Sequence, residues 1–464
     1  MNKRSIIFIS AIIVLFILLG LSIRYKSKKP ASPTNLRSIT IAPDNLNSCT
    51  IKSLEKIGPG WYPKWHPKKD LLVFNKGVGP LGIQELFTAK PDGSEERCLT
   101  CNKDIPGTFK KWLIHGHRGE PAWHPSGDYL VFLATNENGD FIKGLSGIGS
   151  NNDVFITTAD GSKFWQITNI EPHRGLGGPA FSHDGTKIEW LEEYSCERQT
   201  CPEPYLTNKE CSDLPYEKCR CCAPLDERSL LRGNGEDFLL LRNKIADITF
   251  GPDGPLISNI QTIVFNHEGK RMLDHGSGFT PNDEELIFKA ADINETNGRP
   301  FCADIYTSNL NGDYTSFKRL TKSPLFHEEN STISPDGRKI AYTSGPLVGY
   351  VFFKLDLYLM DSDGTNNQRL TYFNESGSPE FDNQLHSVGE GSWSNDGTKY
   401  IFQVHSHHSK KINFSDWSGN FCDGKNMDKY GERIKWQNKN FFDIYLNVKT
   451  NLYMITFTGA CGKE

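Results

Sequence analysis

No recognisable catalytic set runs through these 464 residues. There is no phosphate-binding glycine loop and no His-Glu-x-x-His zinc helix. The nearest approach to a nucleophile elbow, Gly144-Leu145-Ser146-Gly147-Ile148, fails at its last position, where the motif needs glycine. A basic excess is missing too. The formal net charge is −4, which speaks against a nucleic-acid partner. Methionine is scarce, at 5 residues, and no long stretch repeats at the helical period. What is plentiful is turn-forming: 42 glycines and 25 prolines, which lean the chain toward an all-β fold.

The stretch from Pro121 to Phe132, PAWHPSGDYLVF, returns in altered form from Pro179 to Trp190 as PAFSHDGTKIEW. Aligned on its aromatic or aliphatic anchor, the motif falls at Trp65, Trp123, Phe181, Phe279, Ile333 and Trp393, with spacings of 58, 58, 98, 54 and 60 residues. The one long spacing holds the cysteine-rich stretch at 194–236. Each unit has the same grammar. A strand ends in a turn such as FSHDG, ISPDG or WSNDG, where Asp-Gly supplies the positive φ of a tight hairpin. An apolar strand follows, then a variable loop, then a third strand with its own turn. A fourth strand closes on Leu99-Thr100, Ile167-Thr168, Leu320-Thr321 or Leu370-Thr371. Four antiparallel strands repeated six times predict a six-bladed β-propeller over 56–464, because one four-stranded sheet cannot bury both its faces alone.

In the fifth unit the text reads SPDG-x-x-IAY, then LY-x-MD-x-DG, then RLT. This resembles the repeat of TolB-like propellers, over roughly residues 61–457. The resemblance implies an extracytoplasmic propeller that binds a ligand or partner. Related blades occur in prolyl-oligopeptidase-type peptidases and oligogalacturonate lyases, which implies an enzyme as the alternative. No hydrolase domain is expected beside the propeller here.

Before the repeats, Lys3-Arg4 precede an uncharged run from Ser5 to Ile23. Nineteen helical residues span about 28 Å, close to the hydrocarbon core of a bilayer. Residues 1–23 are therefore expected to be one N-terminal transmembrane helix that anchors the chain, with a signal segment cleaved near Gly20-x-Ser22 as the alternative. Residues 24–55 read as a tether. The basic flank at 24–29 would lie in the cytoplasm by the positive-inside rule. The cysteines argue the other way. Their number is even, and they stand at Cys49, Cys98, Cys101, Cys196, Cys201, Cys211, Cys219, Cys221, Cys222, Cys302, Cys422 and Cys461. Disulfides of an oxidising compartment are the expectation, with the propeller in the periplasm or outside the cell. A thiolate zinc site is the alternative for the 196–222 cluster, although zinc ligands usually come in cleaner C-x-x-C pairs. Cys49 and Cys461 bracket the repeats and are expected to pair. Cys98-Leu99-Thr100-Cys101 reads as a structural bridge. Asp361-Ser362-Asp363-Gly364 reads as a hairpin turn and not a calcium loop.

Propeller geometry puts the second-to-third loops and the blade-to-blade connections on one face. Here those segments are long and unlike one another: 134–152, 194–236, 291–301, 344–355 and 405–440. The functional site is expected there, at the channel mouth. Four to eight residues before the anchors stand His115, His117, His173, His275, His327 and His386, and His405, His407 and His408 are expected on a loop of that face. Three or more of the first six are candidates to hold one divalent metal, as in a metal-dependent lyase or hydrolase. The rival reading is a set of histidines bonded to neighbouring backbone. Arg118 and Arg174, each in His-Arg-Gly, are candidates for a bidentate anion contact. Glu120, Asp274, Glu328 and Glu390 are candidates to orient imidazoles or complete the site. Asn-x-Ser/Thr sequons at Asn294, Asn330, Asn374 and Asn413 matter only in a eukaryotic secretory route. Without a catalytic set, binding of a protein or small molecule is the expected activity, with the membrane as a second partner through the N-terminal helix.

Overall fold

The computed structural model describes residues 34–37, 49–79, 82–111, 114–137, 149–170, 175–193, 241–263, 275–290, 302–311, 314–323, 325–348, 354–407, 420, 422, 448–458 and 461. Six antiparallel sheets hold nearly all of the described strands. Their innermost strands are Trp61–Trp65, Arg118–Trp123, Gly175–Phe181, His275–Phe279, His327–Ile333 and Leu385–Trp393. Each packs on the next, and the last returns to the first, so the ring is closed. This is the all-β six-bladed propeller that the repeats predict. The expected anchor at 1–23 and the cysteine cluster at 196–222 lie outside the described residues. No helix among the described residues is long and apolar enough to cross a membrane.

Closure uses the N-terminal part of the chain. Leu385–Trp393, Lys399–His407 and Val448–Phe457 form three strands of blade six, and Ile51–Pro59 supplies the fourth, with Thr34–Arg37 outside it. Strand thus extends into the stretch expected to be tether. Beside this seam Cys49 is bonded to Cys461, with Cα atoms 5.4 Å apart. Thr458 donates its backbone N–H to the Thr50 carbonyl at 2.9 Å.

The repeated words have local physical causes. In Ser-x-Asp-Gly-x-Lys the serine hydroxyl donates to the aspartate two residues on, at 2.7 Å in Ser182–Asp184 and Ser394–Asp396. The same hydroxyl accepts the N–H of the lysine that starts the next strand, at 2.8 Å for Lys187 and 2.9 Å for Lys339 and Lys399. Glycine closes the turn with φ near +75° at Gly127 and Gly185, and a side chain there would also strike a neighbour. A Cβ on Gly127 would lie 2.4 Å from the His66 ring, and one on Gly185 would lie 2.5 Å from His124. His66 and His124 in turn pack on the next anchors, Trp123 and Phe181, at 4.5 and 5.0 Å between ring centroids. Asp361 to Gly364 is a hairpin turn, with the Gly364 N–H on the Asp361 carbonyl at 2.9 Å.

The Leu-Thr endings have their own logic. The threonine hydroxyl accepts a backbone N–H of the third strand at 2.9 Å in four blades: Leu86 to Thr100, Val154 to Thr168, Ile305 to Thr321 and Leu357 to Thr371. It donates to a buried acid that opens that strand, at 2.6 Å for Thr100–Glu85, 2.7 Å for Thr168–Asp153 and 2.9 Å for Thr371–Asp356. In blades four and five the arginine of Arg-Leu-Thr neutralises that acid, through Arg319–Asp304 and Arg369–Asp356. Blade three has no Leu-Thr because its outer strand is built differently. Leu241–Gly251 turns through a hairpin into a ten-residue strand, Gly254–Ile263.

Candidate ligand channel

Every innermost strand carries a break in register shortly before its anchor: 61/64, 119/122, 177/180, 276/278, 329/332 and 388/391. In four blades the residue three before the anchor takes left-handed φ, at 53° for Tyr62, 51° for Glu120, 51° for Gly178 and 56° for Asn330. A bulge re-aims side chains, and non-glycine residues hold this conformation only where the surroundings impose it. Blade six places Glu390 at the same position, between Gly389 and Gly391.

Tyr62, Lys64, Glu329, Glu390 and His405 keep some accessible surface yet are enclosed by protein. That combination marks groups lining an internal channel. Bonds cross the blade boundaries at this level. Glu120 Oε2 accepts the Gly178 N–H at 2.7 Å, linking blades two and three. The Lys289 ammonium donates to Glu329 Oε2, linking blades four and five. His327 Nε2 lies 3.0 Å from the same oxygen. Gln403 joins blades six and one. Its Oε1 accepts the Tyr62 N–H at 2.6 Å, and its amide nitrogen donates to Glu390 Oε2. The same nitrogen lies 3.1 Å from His405 Nε2. That assigns the proton of His405 to Nδ1, which donates to Thr450 Oγ1 at 2.9 Å. Trp61 meets the His405 ring edge-on at 5.4 Å.

The charges sort themselves by surroundings. Burial, then the nearby Glu329 charge, push the Glu390 carboxyl up to about 7. Burial also works to raise Glu329, but Lys289 and His327 outweigh it and hold this carboxyl well below the usual range. Burial draws His405 down to about 4 against the pull of Glu329. Burial, with Glu390, Glu120 and Glu329, raises the Tyr62 phenol well above its ordinary value. Lys64 is lowered by burial against the attraction of Glu390 and Glu120. At neutral pH the channel therefore holds a fixed anion at Glu329, a half-protonated Glu390 and a neutral imidazole at His405.

Stability should report this. Glu390 and Glu328 both sit near 7, against an ordinary 4.5. The folded protein keeps their protons where the unfolded chain gives them up, so their contribution is full below 4.5 and is lost as pH rises toward 7. Glu390→Gln is expected to make the fall in unfolding free energy between pH 5 and 7 shallower. Urea melts across that range measure it, and unchanged slopes would contradict the assignment.

The residues singled out from sequence are placed variously. Glu120 and Glu390 join the channel set. Arg118 does not. Its guanidinium is 1% exposed and bonded to both Glu85 oxygens, at 2.9 and 2.8 Å, and to the carbonyls of Thr100 and Lys103. Blade one has Cys98 where blades four and five have arginine, and Arg118 from blade two supplies the missing charge. The same strand position in blade five holds Glu328, raised by burial and further by Asp304. The described histidines go to separate partners. His117 Nδ1 accepts the Gln84 N–H at 3.1 Å, and His386 bonds Ser406 and Asp382 at 3.0 and 2.7 Å. Among the described residues, no three His, Cys, Asp or Glu side chains are grouped to hold a metal. His405 and His407 lie on the strand Lys399–His407, not on the loop expected there. His115 and His275 lie on strands, with side chains outside the described residues. His173, Arg174, Asp274 and His408 lie outside them entirely. Sequence reasoning missed Tyr62, Lys64, Glu329 and Gln403. No residue type common to these positions marked them in the sequence.

Two more disulfides lie among the described residues. Cys98–Cys101 is a bridge at the end of blade one, with Cα atoms 5.7 Å apart. Cys302–Cys422 ties the start of the third strand of blade four to a segment inserted in blade six. Asn420 beside it donates to the Leu325 carbonyl between blades four and five. Two sequons are engaged internally. Asn374 exchanges hydrogen bonds with the His386 backbone at 2.9 and 3.0 Å, and Asn330 donates to Thr343 at 3.3 Å.

The chain is similar to TolB-like propellers. TolB from Acinetobacter baumannii aligns at 15% identity over 72% of this chain and 60% of that one, with a TM-score of 0.40. An oligogalacturonate lyase in complex with manganese aligns at 10% identity over 94% and 99%, with a TM-score of 0.40. The β-propeller domain of the Trilobed protease from Pyrococcus furiosus aligns at 12% identity over 77% and 84%, with a TM-score of 0.36. No protein-family model and no curated protein matches the sequence. Likeness at this level concerns the fold alone, and the strand order stands without it.

Proposed function

We propose that this protein is a membrane-tethered, extracytoplasmic propeller that binds a small polar ligand in its central channel, entered from the long-loop face. The observation that carries the reading is the bulge set. Tyr62, Lys64, Glu120, Glu329 and Glu390, from blades one, two, five and six, lie near enough for their charges to act on one another, and their surroundings push their proton affinities in different directions. Three disulfides among the described residues and the apolar run at 5–23 support the compartment and the tether. Thiol labelling of unreduced, denatured protein checks the compartment. Extensive reaction at these six cysteines would refute it.

Thermal-shift profiling against small polar compounds tests the site. Compounds that stabilise the parent are expected to lose their effect in Tyr62→Phe/Glu390→Gln. Shifts that persist in that variant would place binding elsewhere. An enzyme working in the same channel is the second reading. It rests on the contrast between Glu329 and Glu390, since a carboxylate and a carboxylic acid side by side are the usual equipment for acid–base chemistry. Turnover of a stabilising compound, lost in Glu390→Gln, would favour it.

A further inference from the structure

Five of the six anchors are aromatic and buried, from 5% to 8% exposed: Trp65, Trp123, Phe181, Phe279 and Trp393. The sixth, Ile333, is aliphatic and only partly buried. The anchors stand where neighbouring blades meet. Between blades one and two, and between two and three, the seal is tight, because the His66 and His124 rings fill the space beside the next turn glycine. Between blades five and six the Trp393 indole reaches across and donates from Nε1 to the Thr332 carbonyl at 3.3 Å. Between blades four and five the packing is looser. The group nearest to a Cβ on Gly337 would be Pro281, 3.7 Å away, against 2.4 and 2.5 Å at Gly127 and Gly185. A cavity of about 540 Å³ opens at this boundary.

The bottom and the mouth of the cavity differ. Ile340 and Thr307, 1% and 5% exposed, lie deepest, and Leu320, Ile333 and Pro281 give it apolar walls. At the mouth stand the exposed Asn282, Ser362 and Asp363, with the Lys318–Glu285 ion pair at 2.8 Å. Alternate residues of a strand share a face. Ile305 packs with Ile340 of blade five, so Thr307 faces blade five too. Its hydroxyl makes no hydrogen bond among the described residues, although the residue is nearly enclosed. We propose that this cavity binds a small aromatic molecule, with its ring on Ile333 and Ile340 and a hydrogen-bonding substituent on the Thr307 hydroxyl. The volume is that of a small-molecule pocket. A ring laid on these walls removes apolar surface from water, and a ring is what the other five blades carry at the anchor. A substituent reaching Thr307 satisfies a hydroxyl that folding has taken from water. The lining comes from the short-turn face, away from the long-loop entrance of the channel, so failure of this site would leave the channel reading untouched.

Fluorine NMR titration of the full chain in detergent with 5-fluoroindole, a probe the size of a tryptophan side chain, reads the binding. The parent is expected to shift and broaden the probe signal saturably. Ile333→Trp fills the cavity with a ring of its own and is expected to weaken the probe at least about tenfold. Measured in the same detergent, it also serves as the blank for uptake by micelles. Thr307→Val keeps the shape of the side chain and removes the acceptor for the indole N–H. It is expected to weaken the probe about threefold to tenfold. Thermal melts establish that the variants remain folded, and Ile333→Phe, a smaller filler, stands in should Ile333→Trp not fold. A parent without saturable binding overturns the proposal. So does an affinity unchanged in Ile333→Trp or in Thr307→Val, or one lost in Tyr62→Phe/Glu390→Gln, which would move the probe to the channel.

Discussion

Arg118→Ala is expected to cost about 3–5 kcal/mol of folding stability, the usual loss when one partner of a buried ion pair is removed. The reason lies in what stays behind. Glu85 is 3% exposed, and Thr100 is the other side chain seen to donate to it. Without the guanidinium its carboxylate stays desolvated, the Lys103 carbonyl loses the Arg118 donor, and the Thr100 carbonyl keeps only the Lys103 N–H at 3.1 Å. Thermal and denaturant melts measure the loss. Arg118→Ala/Glu85→Leu is expected to recover part of it, because the orphaned charge goes too. A single variant as stable as the parent would return Arg118 to a ligand-binding role.

Loss of the ring-closing disulfide has the other large expected effect. Cys49 and Cys461 are 412 positions apart in the chain, and the chain-entropy model assigns a link over so long a loop about 6 kcal/mol, beyond the observed range of about 0–5, so a loss near the upper end of that range is expected. Cys49→Ser/Cys461→Ser should melt lower than the parent by the corresponding amount. Cys98→Ser/Cys101→Ser, which opens a loop of three residues, should lose much less. Equal losses from the two double variants would show that loop length is not what sets the effect.

The frame was legible because its words are local chemistry. A serine two before an aspartate, with glycine next, makes one kind of turn wherever it stands, and a threonine after leucine ties down one strand end. Six anchors at near-constant spacing then dictate six blades. The channel was not legible, because its members share a backbone shape and not a residue type. Tyr62, Glu120, Gly178, Asn330 and Glu390 have little in common on paper. The described histidines make the opposite case. His117, His327 and His386 share a residue type and a window before the anchor, yet Gln84, Glu329 and Asp382 draw them apart. Arg118 could not be assigned from its own neighbourhood, since the vacancy it fills belongs to blade one. The pairing of Cys49 with Cys461 was legible, because it follows from closing a ring.

The placing of that bond has a mechanical consequence. Cys49 lies just ahead of Ile51–Pro59, the strand that completes blade six. Tension applied to the chain before Cys49 passes covalently into Cys461 before it reaches the ladder between Ile51–Pro59 and Val448–Phe457. A pull on the leading segment would first part Thr34–Arg37 from Ile51–Pro59, and from there on the bond spares the seam. Under reducing conditions the same pull would act directly on hydrogen bonds, and the closing strand would be the next to shear away.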